Sequence, residues 1–207
     1  MPDWLEILGG VILAGLIAVM MQLLENSTKE PQTVTLYHYD ISLEDPIQSE
    51  TLEFTDSLIS IKFEIRKKEI GFNIKNKSNR AIKINWDEIV YISPSGAAHR
   101  VIHSGIRYID RDKPQAPSVI PPNAYFSDII VPSDNIYYLE VPRTGIVDLD
   151  LKNLKLEGWR VHDLIYPAQD LKGKTFKVYM PLEIDGEKKN YTFTFKIKDV
   201  TIEEIKL

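Results

Sequence analysis

Two histidines and two aspartates are the side chains of this sequence best suited to chemistry. His99 and His103 stand four residues apart on a predicted strand, and Asp110 and Asp112 follow them. Such groups could ligate a metal ion, bind a small ligand, or act as base and acid in a hydrolase-like enzyme on a β scaffold. Two imidazoles without a third close ligand do not complete a metal site, so a solvated hairpin face is the simpler interpretation. We expect no metal and no cofactor.

Other sequence patterns of enzymes are missing. The chain contains no Gly-x-Ser-x-Gly, no phosphate-binding glycine loop, no dinucleotide fingerprint and no His-Glu-x-x-His. It has no cysteine, which excludes disulfides, thiolate metal sites and cysteine nucleophiles. Its 25 basic and 30 acidic residues are interspersed and the net charge is −5, so nucleic acid is not an expected partner. The sequence therefore predicts no catalytic residue and a protein that is not an enzyme.

The proline-rich segment, residues 110–123, is the best candidate for binding. It reads DRDKPQAPSVIPPN and holds four of the twelve prolines. Because proline has no backbone N–H, this segment should be an extended loop or a sheet edge. Loops of this kind often carry function. The candidate interaction residues are Asp110, Arg111, Asp112, Lys113, Pro114 and Pro117.

Alternation of apolar and polar residues indicates the strands that must position these side chains. The predicted strands cover residues 33–39, 59–65, 70–74, 82–86, 89–92, 99–103, 128–131, 176–184 and 191–197. Asp185-Gly186 between the last two is a strong hairpin signal. Residues 149–159 are ambiguous between a hairpin and a helical turn. Nine to eleven strands without an amphipathic helix predict an all-β domain, organised as a two-sheet antiparallel sandwich.

The first 32 residues differ in character from the rest. Residues 4–24 are apolar apart from Glu6 and Gln22, and as a helix they would span about 31 Å, close to the thickness of a bilayer core. No Lys or Arg precedes them, which favours an uncleaved transmembrane anchor over a secretory signal or a buried helix. The sequence thus predicts an anchor at 4–24, a tether at 25–32 and a β domain at 33–207.

Small residues recur along one face of the predicted anchor, at Gly10, Ala14 and Ala18. This spacing lets membrane helices approach each other closely, so the anchor could pack within a larger membrane complex. The side of the membrane is weakly specified, because Lys29 alone favours a cytoplasmic domain and long domains cross largely regardless of charge.

Residues 72–92, FNIKNKSNRAIKINWDEIVYI, combine an alternating strand, a turn with Asn and Ser, and a second strand that leads into aromatic residues. This stretch, about a tenth of the chain, resembles immunoglobulin-like modules of the bacterial cell envelope, which are appended to lipoproteins or single-pass membrane proteins. The chain departs from them in lacking a lipid-accepting cysteine. The resemblance implies an immunoglobulin-like sandwich outside the cytoplasm that binds another protein or envelope component as a scaffold or accessory subunit. It assigns no functional residue.

Overall fold

The structure is a computed structural model that describes residues 33–139, 158–165 and 169–206. Within these ranges the chain forms thirteen strands and four three-residue 3-10 helices, and no α-helix. The strands are β1 (Thr33–Asp45), β2 (Glu53–Thr55), β3 (Ile59–Ile65), β4 (Ile70–Asn76), β5 (Ile82–Ile84), β6 (Val90–Ile92), β7 (Ala98–Ile102), β8 (Ser118–Ile120), β9 (Tyr125–Pro132), β10 (Ile136–Leu139), β11 (Gly158–Val161), β12 (Thr175–Ile184) and β13 (Glu187–Lys206). The 3-10 helices are Trp86–Glu88, Tyr108–Asp110, Ser133–Asn135 and Gln169–Leu171.

Eleven strands belong to one sheet, in the order β1-β13-β12-β6-β7-β9-β4-β3-β2, with β5 joining β12 to β8 beside this path. Strands β10 and β11 form a separate two-stranded sheet. Each pairing whose register the structure describes is antiparallel. The prediction of an all-β, antiparallel domain is therefore confirmed.

The chain divides into two compact units. The unit Tyr39–Thr201 contains the main hydrophobic core. Of the other unit, the described residues are the first part of β1 and the last part of β13, where His38 Nε2 lies 3.3 Å from Glu203 Oε2 between largely exposed side chains.

The core of the larger unit follows from the period-two pattern of its strands. On β3 and β4 the buried side chains include Phe63 and Phe72, which lie opposite each other in register. The ring of Phe63 also lies 4.7 Å from that of Phe193 and 5.2 Å from that of Phe195, both on β13. Because β3 and β13 are far apart in the strand order, the sheet of this unit must fold back to bury its apolar face.

The Asp-Gly hairpin prediction is confirmed. Asp185 and Gly186 connect β12 to β13 with φ angles of 55° and 82°. Positive φ at both central residues is what a two-residue hairpin turn of this kind requires, and glycine adopts it without a steric cost.

Strand boundaries differ from the prediction at several places. Trp86 begins a 3-10 helix instead of ending a strand, because residues 86–88 close a turn between β5 and β6. Part of the proline-rich segment forms β8, an edge strand that needs few backbone donors. Strand β9 starts at Tyr125, three positions before the predicted start, and β10 was not predicted.

Several predictions lie outside the described residues. They concern the anchor at 4–24 with Gly10, Ala14 and Ala18, the tether at 25–32, and most of the ambiguous stretch 149–159, of which the end forms β11. Among the residues that the structure does describe, no helix has the length and apolar character needed to cross a membrane.

Candidate functional site

Gln115 holds the middle of the proline-rich segment against strand β7. Its side chain is buried, with the residue 6% exposed. The amide nitrogen donates to the backbone carbonyl of Val101 at 2.8 Å, and the amide oxygen accepts from the backbone N–H of His103 at 3.3 Å. The side chain therefore pairs with the end of β7 as a neighbouring strand would, although prolines on both sides prevent a regular strand there.

An ion pair ties down the first half of the segment. Asp87 Oδ1 accepts from the Arg100 guanidinium at 2.6 Å, while Oδ2 accepts from the backbone N–H of Gln115 at 3.2 Å. Arg100 also donates to the backbone carbonyls of Arg111, at 3.1 Å, and of Lys113. Burial raises the pKa of the Asp87 carboxyl, but the hydrogen bonds from Arg100 and Gln115 outweigh it and hold that pKa below its usual range.

A buried histidine–aspartate pair fixes the chain just ahead of the segment. His103 stacks on the indole of Trp86, with ring centroids 4.2 Å apart and planes inclined by 7°. Its Nδ1 lies 3.2 Å from Oδ2 of Asp128. The other oxygen, Oδ1, accepts from the backbone N–H groups of Ser104 at 2.9 Å and Ile129 at 2.8 Å. Three protein groups thus bind this carboxylate, whose side chain is only 7% exposed.

Asn76 anchors the far end of the segment. Its side chain is fully buried, and its amide nitrogen donates to the carbonyls of Ile120 at 3.0 Å, Pro121 at 3.1 Å and Arg80 at 2.7 Å. Its oxygen accepts from the backbone N–H of Ser78 at 2.9 Å. One amide thereby connects the β4–β5 turn with the end of β8.

Strand β8 forms an open edge of the sheet. It pairs with β5 on one side, and no described strand pairs with it on the other. Trp86 supports it, because the indole N–H donates to Ser118 Oγ at 2.9 Å. Val119 points away from the core and is 59% exposed, whereas Ile120 is buried.

Some of the most exposed apolar side chains lie within or near this segment. Among the described residues, the three most exposed large apolar side chains are Tyr125 (66%), Ile109 (65%) and Val119 (59%). All three lie within or next to the proline-rich segment. Ile109 and Val119 adjoin or belong to the clamped segment, whereas Tyr125 projects from the outer face of β9.

The predicted interaction residues have two different roles. Asp110 pairs with Arg107 and Lys113 at 2.7 Å each, and the hydrogen bonds from Lys113 and Arg107 lower the pKa of its carboxyl. The Arg111 guanidinium lies 5.2 Å from the ring centroid of Trp159, while its backbone holds Arg100. The remaining four residues are exposed: Asp112, Lys113, Pro114 and Pro117.

The structure does not bring the two histidines and two aspartates into one site. His99 Nδ1 pairs with Asp134 at 3.0 Å, His103 pairs with Asp128, and Asp110 and Asp112 pair with basic neighbours. Within the described ranges, no three His, Asp or Glu side chains converge as metal ligands. The geometry therefore lends no support to a metal or catalytic site built from these four residues.

Sequence reasoning missed the residues that organise the site: Asp87, Arg100, Gln115 and Asp128. For Asp128 a signal existed, because it stands between Phe126 and Ile130 on the same face of β9. A carboxylate in an apolar row indicates a buried, partnered charge. Gln115 gave no such signal, since it stands alone among prolines.

The comparisons with known proteins gave no relative. No family model, no curated protein and no solved structure matched this chain.

Proposed function

We propose that this chain is a non-enzymatic protein-interaction module that binds another polypeptide through the proline-rich segment and the edge of β8. The observation that carries the proposal is that a segment clamped on its inner side presents Val119 to solvent, and that the exposed Ile109 immediately precedes this segment. Apolar side chains that a partner desolvates anchor protein interfaces. Because Gln115 and Arg100 already order the segment, binding costs less conformational entropy than it would for a free loop.

The edge of β8 favours an extended segment as the bound element. An open strand presents unpaired backbone donors and acceptors that an added strand can satisfy. The edge is short, because Pro117 and Pro121 flank Ser118–Ile120. Prolines beside an open edge limit uncontrolled sheet growth, so a specific partner must gain most of its affinity from the side chains around the edge.

Site-specific photo-cross-linking tests this surface. A photoreactive phenylalanine analogue would replace Val119 or Ile109 in the full chain, in native membranes. Ile47 is the matched control, since it is also apolar and 53% exposed but lies outside this stretch. We expect one discrete protein adduct from the first two positions and none from Ile47. The same adducts from all three positions, or none from any, would contradict the proposal.

We further propose that an N-terminal helix over residues 4–24 anchors the module in a bacterial membrane, with the β domain outside the cytoplasm. The length and apolar character of this stretch support it. The immunoglobulin-like arrangement implied by residues 72–92 belongs to the same proposal. What supports it is the strand-turn-strand pattern of that stretch, whose turn lies between β4 and β5.

Two measurements test the anchor. Deletion of residues 1–24 should release the protein from alkaline-washed membranes, and external protease should degrade the β domain in intact cells. If the protein stays in the membrane without these residues, the anchor is contradicted. If the β domain is completely protected from external protease, the proposed orientation is contradicted. Ala14→Ile should disrupt a complex that depends on packing at Gly10, Ala14 and Ala18, and an unchanged complex would exclude that packing.

A further inference from the structure

We propose that the outer face of strands β3, β4 and β9 binds a neutral saccharide in a groove around Gly71. The groove has a volume of about 520 Å³, within the usual range for small-ligand sites. This site is independent of the edge of β8, and its proposed ligand is of a different class.

Strand register builds the groove from two cross-strand rows. One row runs from Lys62 through Asn73 to Ser127, and the other runs from Glu64 through Gly71 to Ile129. Gly71 has no side chain, and the Arg66 side chain lies over it, so Gly71 itself is buried and the Arg66 guanidinium forms part of the groove lining. A Cβ on Gly71 would lie 3.5 Å from the guanidinium carbon, which is an ordinary contact, whereas a larger side chain would displace Arg66 and reshape the groove.

The charges of the groove are internally paired. Arg66 donates to Glu64 at 2.7 Å and to Glu69 at 2.6 Å, and Lys62 lies 2.7 Å from Glu53. The pKa of the exposed Glu64 carboxyl is lowered by its hydrogen bond from Arg66. A charged ligand would have to compete with these pairs, because no charge in them lacks a counter-ion. This balance favours an uncharged ligand over a phosphate or a polyanion.

The remaining lining is suited to hydroxyl groups. Asn73 Nδ2 donates to Ser127 Oγ at 2.6 Å, which sets the orientation of both side chains before a ligand arrives. Ser104 adds a further hydroxyl to the lining. A sugar hydroxyl both donates and accepts, so it can bind between an amide, a hydroxyl and a carboxylate, as these rows offer.

An aromatic side chain lies on the same face. Tyr125 alternates with Ser127 on β9, so both project outward, and Tyr125 is 66% exposed. The Lys75 ammonium lies 5.1 Å from its ring centroid. Tyr125 does not line the groove itself, so its ring face opposite Lys75 would contact only a saccharide that extends past Ser127.

A peptide is the weaker candidate for this groove. The groove lies on a sheet face, where the backbone groups of β4 already pair with β3 and β9. It therefore lacks the open row of donors and acceptors that binds extended peptides.

Calorimetric titration of the full chain with short neutral oligosaccharides of glucose, mannose, galactose and N-acetylglucosamine tests the site. A polyoxyethylene detergent is used, because it carries no sugar headgroup. We expect at least one oligosaccharide to bind, and Asn73→Ala and Gly71→Leu each to weaken binding by at least about tenfold. Gly71 has no positive φ, so both Gly71→Leu and the smaller Gly71→Ala should fold. The edge variant Val119→Lys is the control that should retain binding, and Gly71→Ala, which adds a smaller side chain, should weaken binding less than Gly71→Leu does.

The proposal would be overturned by three results. The first is that no oligosaccharide binds at concentrations up to about 10 mM. The second is that the Gly71→Leu variant binds as tightly as the natural chain. The third is that only a polyanion or an extended peptide, used as comparison ligands, binds. Cross-linking at Val119 would be unaffected by any of them, so failure here is distinguishable from failure of the proposed protein interaction.

Discussion

Two histidine–aspartate pairs lie at opposite ends of strand β7. They have the same chemistry but differ in burial and in the additional partners of the carboxylate. His99 Nδ1 lies 3.0 Å from Asp134, and His103 Nδ1 lies 3.2 Å from Asp128. The Asp134 side chain is 67% exposed, whereas that of Asp128 is 7% exposed. The shorter contact is the more solvated one. Distance alone therefore does not tell which pair stabilises the fold; burial and the number of additional partners do.

A third pair on β7 lies between these extremes. Arg100 and Asp87 are 2.6 Å apart, with side chains 30% and 35% exposed. Asp134 is bound to one histidine and its neighbouring Ser133, while Asp87 also holds Gln115 and Asp128 also holds two backbone N–H groups. The three carboxylates form a series from solvent-exposed to buried, and the proline-rich segment depends on the two more buried ones.

Removing the ring beneath the buried pair should have the largest effect. Trp86→Ala deletes a fully buried side chain, the stack with His103 and the hydrogen bond to Ser118, so we expect a loss of about 3–5 kcal/mol in the free energy of unfolding. Urea unfolding followed by circular dichroism measures it. Trp86→Phe keeps an apolar ring and should lose less. Equal losses for the two variants would show that an apolar ring at this position does not by itself stabilise the fold.

Breaking the two histidine pairs tests the comparison directly. Asp128→Ala leaves three donors without an acceptor in a buried place and should cost about 2–3 kcal/mol. Asp134→Ala should change the free energy of unfolding by less than about 1 kcal/mol, because that pair is solvated. The same urea experiment serves both variants. Similar losses in the free energy of unfolding for the two variants would refute the conclusion that burial decides how much each β7 pair stabilises the fold.

Truncating Gln115 should loosen the proline-rich segment. Gln115→Ala removes the bond to the Val101 carbonyl and leaves buried backbone groups unpaired, so we expect a loss of about 1–2 kcal/mol. Hydrogen exchange of residues 111–117 should accelerate more than exchange in β3 and β4. Lys113→Ala is the control, because its backbone carbonyl and not its side chain binds Arg100. Unchanged exchange in the Gln115 variant would mean that the segment is held by other contacts.

The smallest expected effect is a change in stability at acid pH. The pKa of Asp87 is lower in the folded state than its unfolded value, so its contribution to stability is fully present above about pH 4 and is lost as the pH falls through the folded pKa. The difference in unfolding midpoint between the natural chain and Asp87→Asn should therefore shrink below pH 4. Trp86→Phe changes no titrating group and should show a constant difference. A pH-independent difference for Asp87→Asn would exclude this linkage.

Much of the fold was predictable because period-two burial is a local property. The spacing of Ile59, Ile61 and Phe63 predicts β3, and the dipeptide Asp185-Gly186 predicts the last hairpin. The boundary at Trp86 was not predictable, because an apolar residue at the right spacing does not reveal that the chain turns there. Strand β8 could not be predicted from its own residues, because it forms by pairing with β5, which is far away in the sequence.

The candidate site was predicted in location but not in construction. The proline content identified residues 110–123, yet Ile109, which is 65% exposed, lies just outside that range. The clamp depends on Gln115 and on the pairing of Arg100 with Asp87. Neither spacing nor residue type distinguishes these side chains from ordinary surface polar groups.

By itself the sequence determined an antiparallel all-β body, its buried aromatic and aliphatic rows, and a segment too rich in proline for a regular strand. These follow from the alternation of side chains along one strand and from the missing N–H of proline. Only the tertiary structure decided which polar groups are buried and with what partner. His103 meets Asp128 because β7 lies beside β9, and such neighbourhoods arise from the order of strands in a sheet, which no short stretch of sequence encodes.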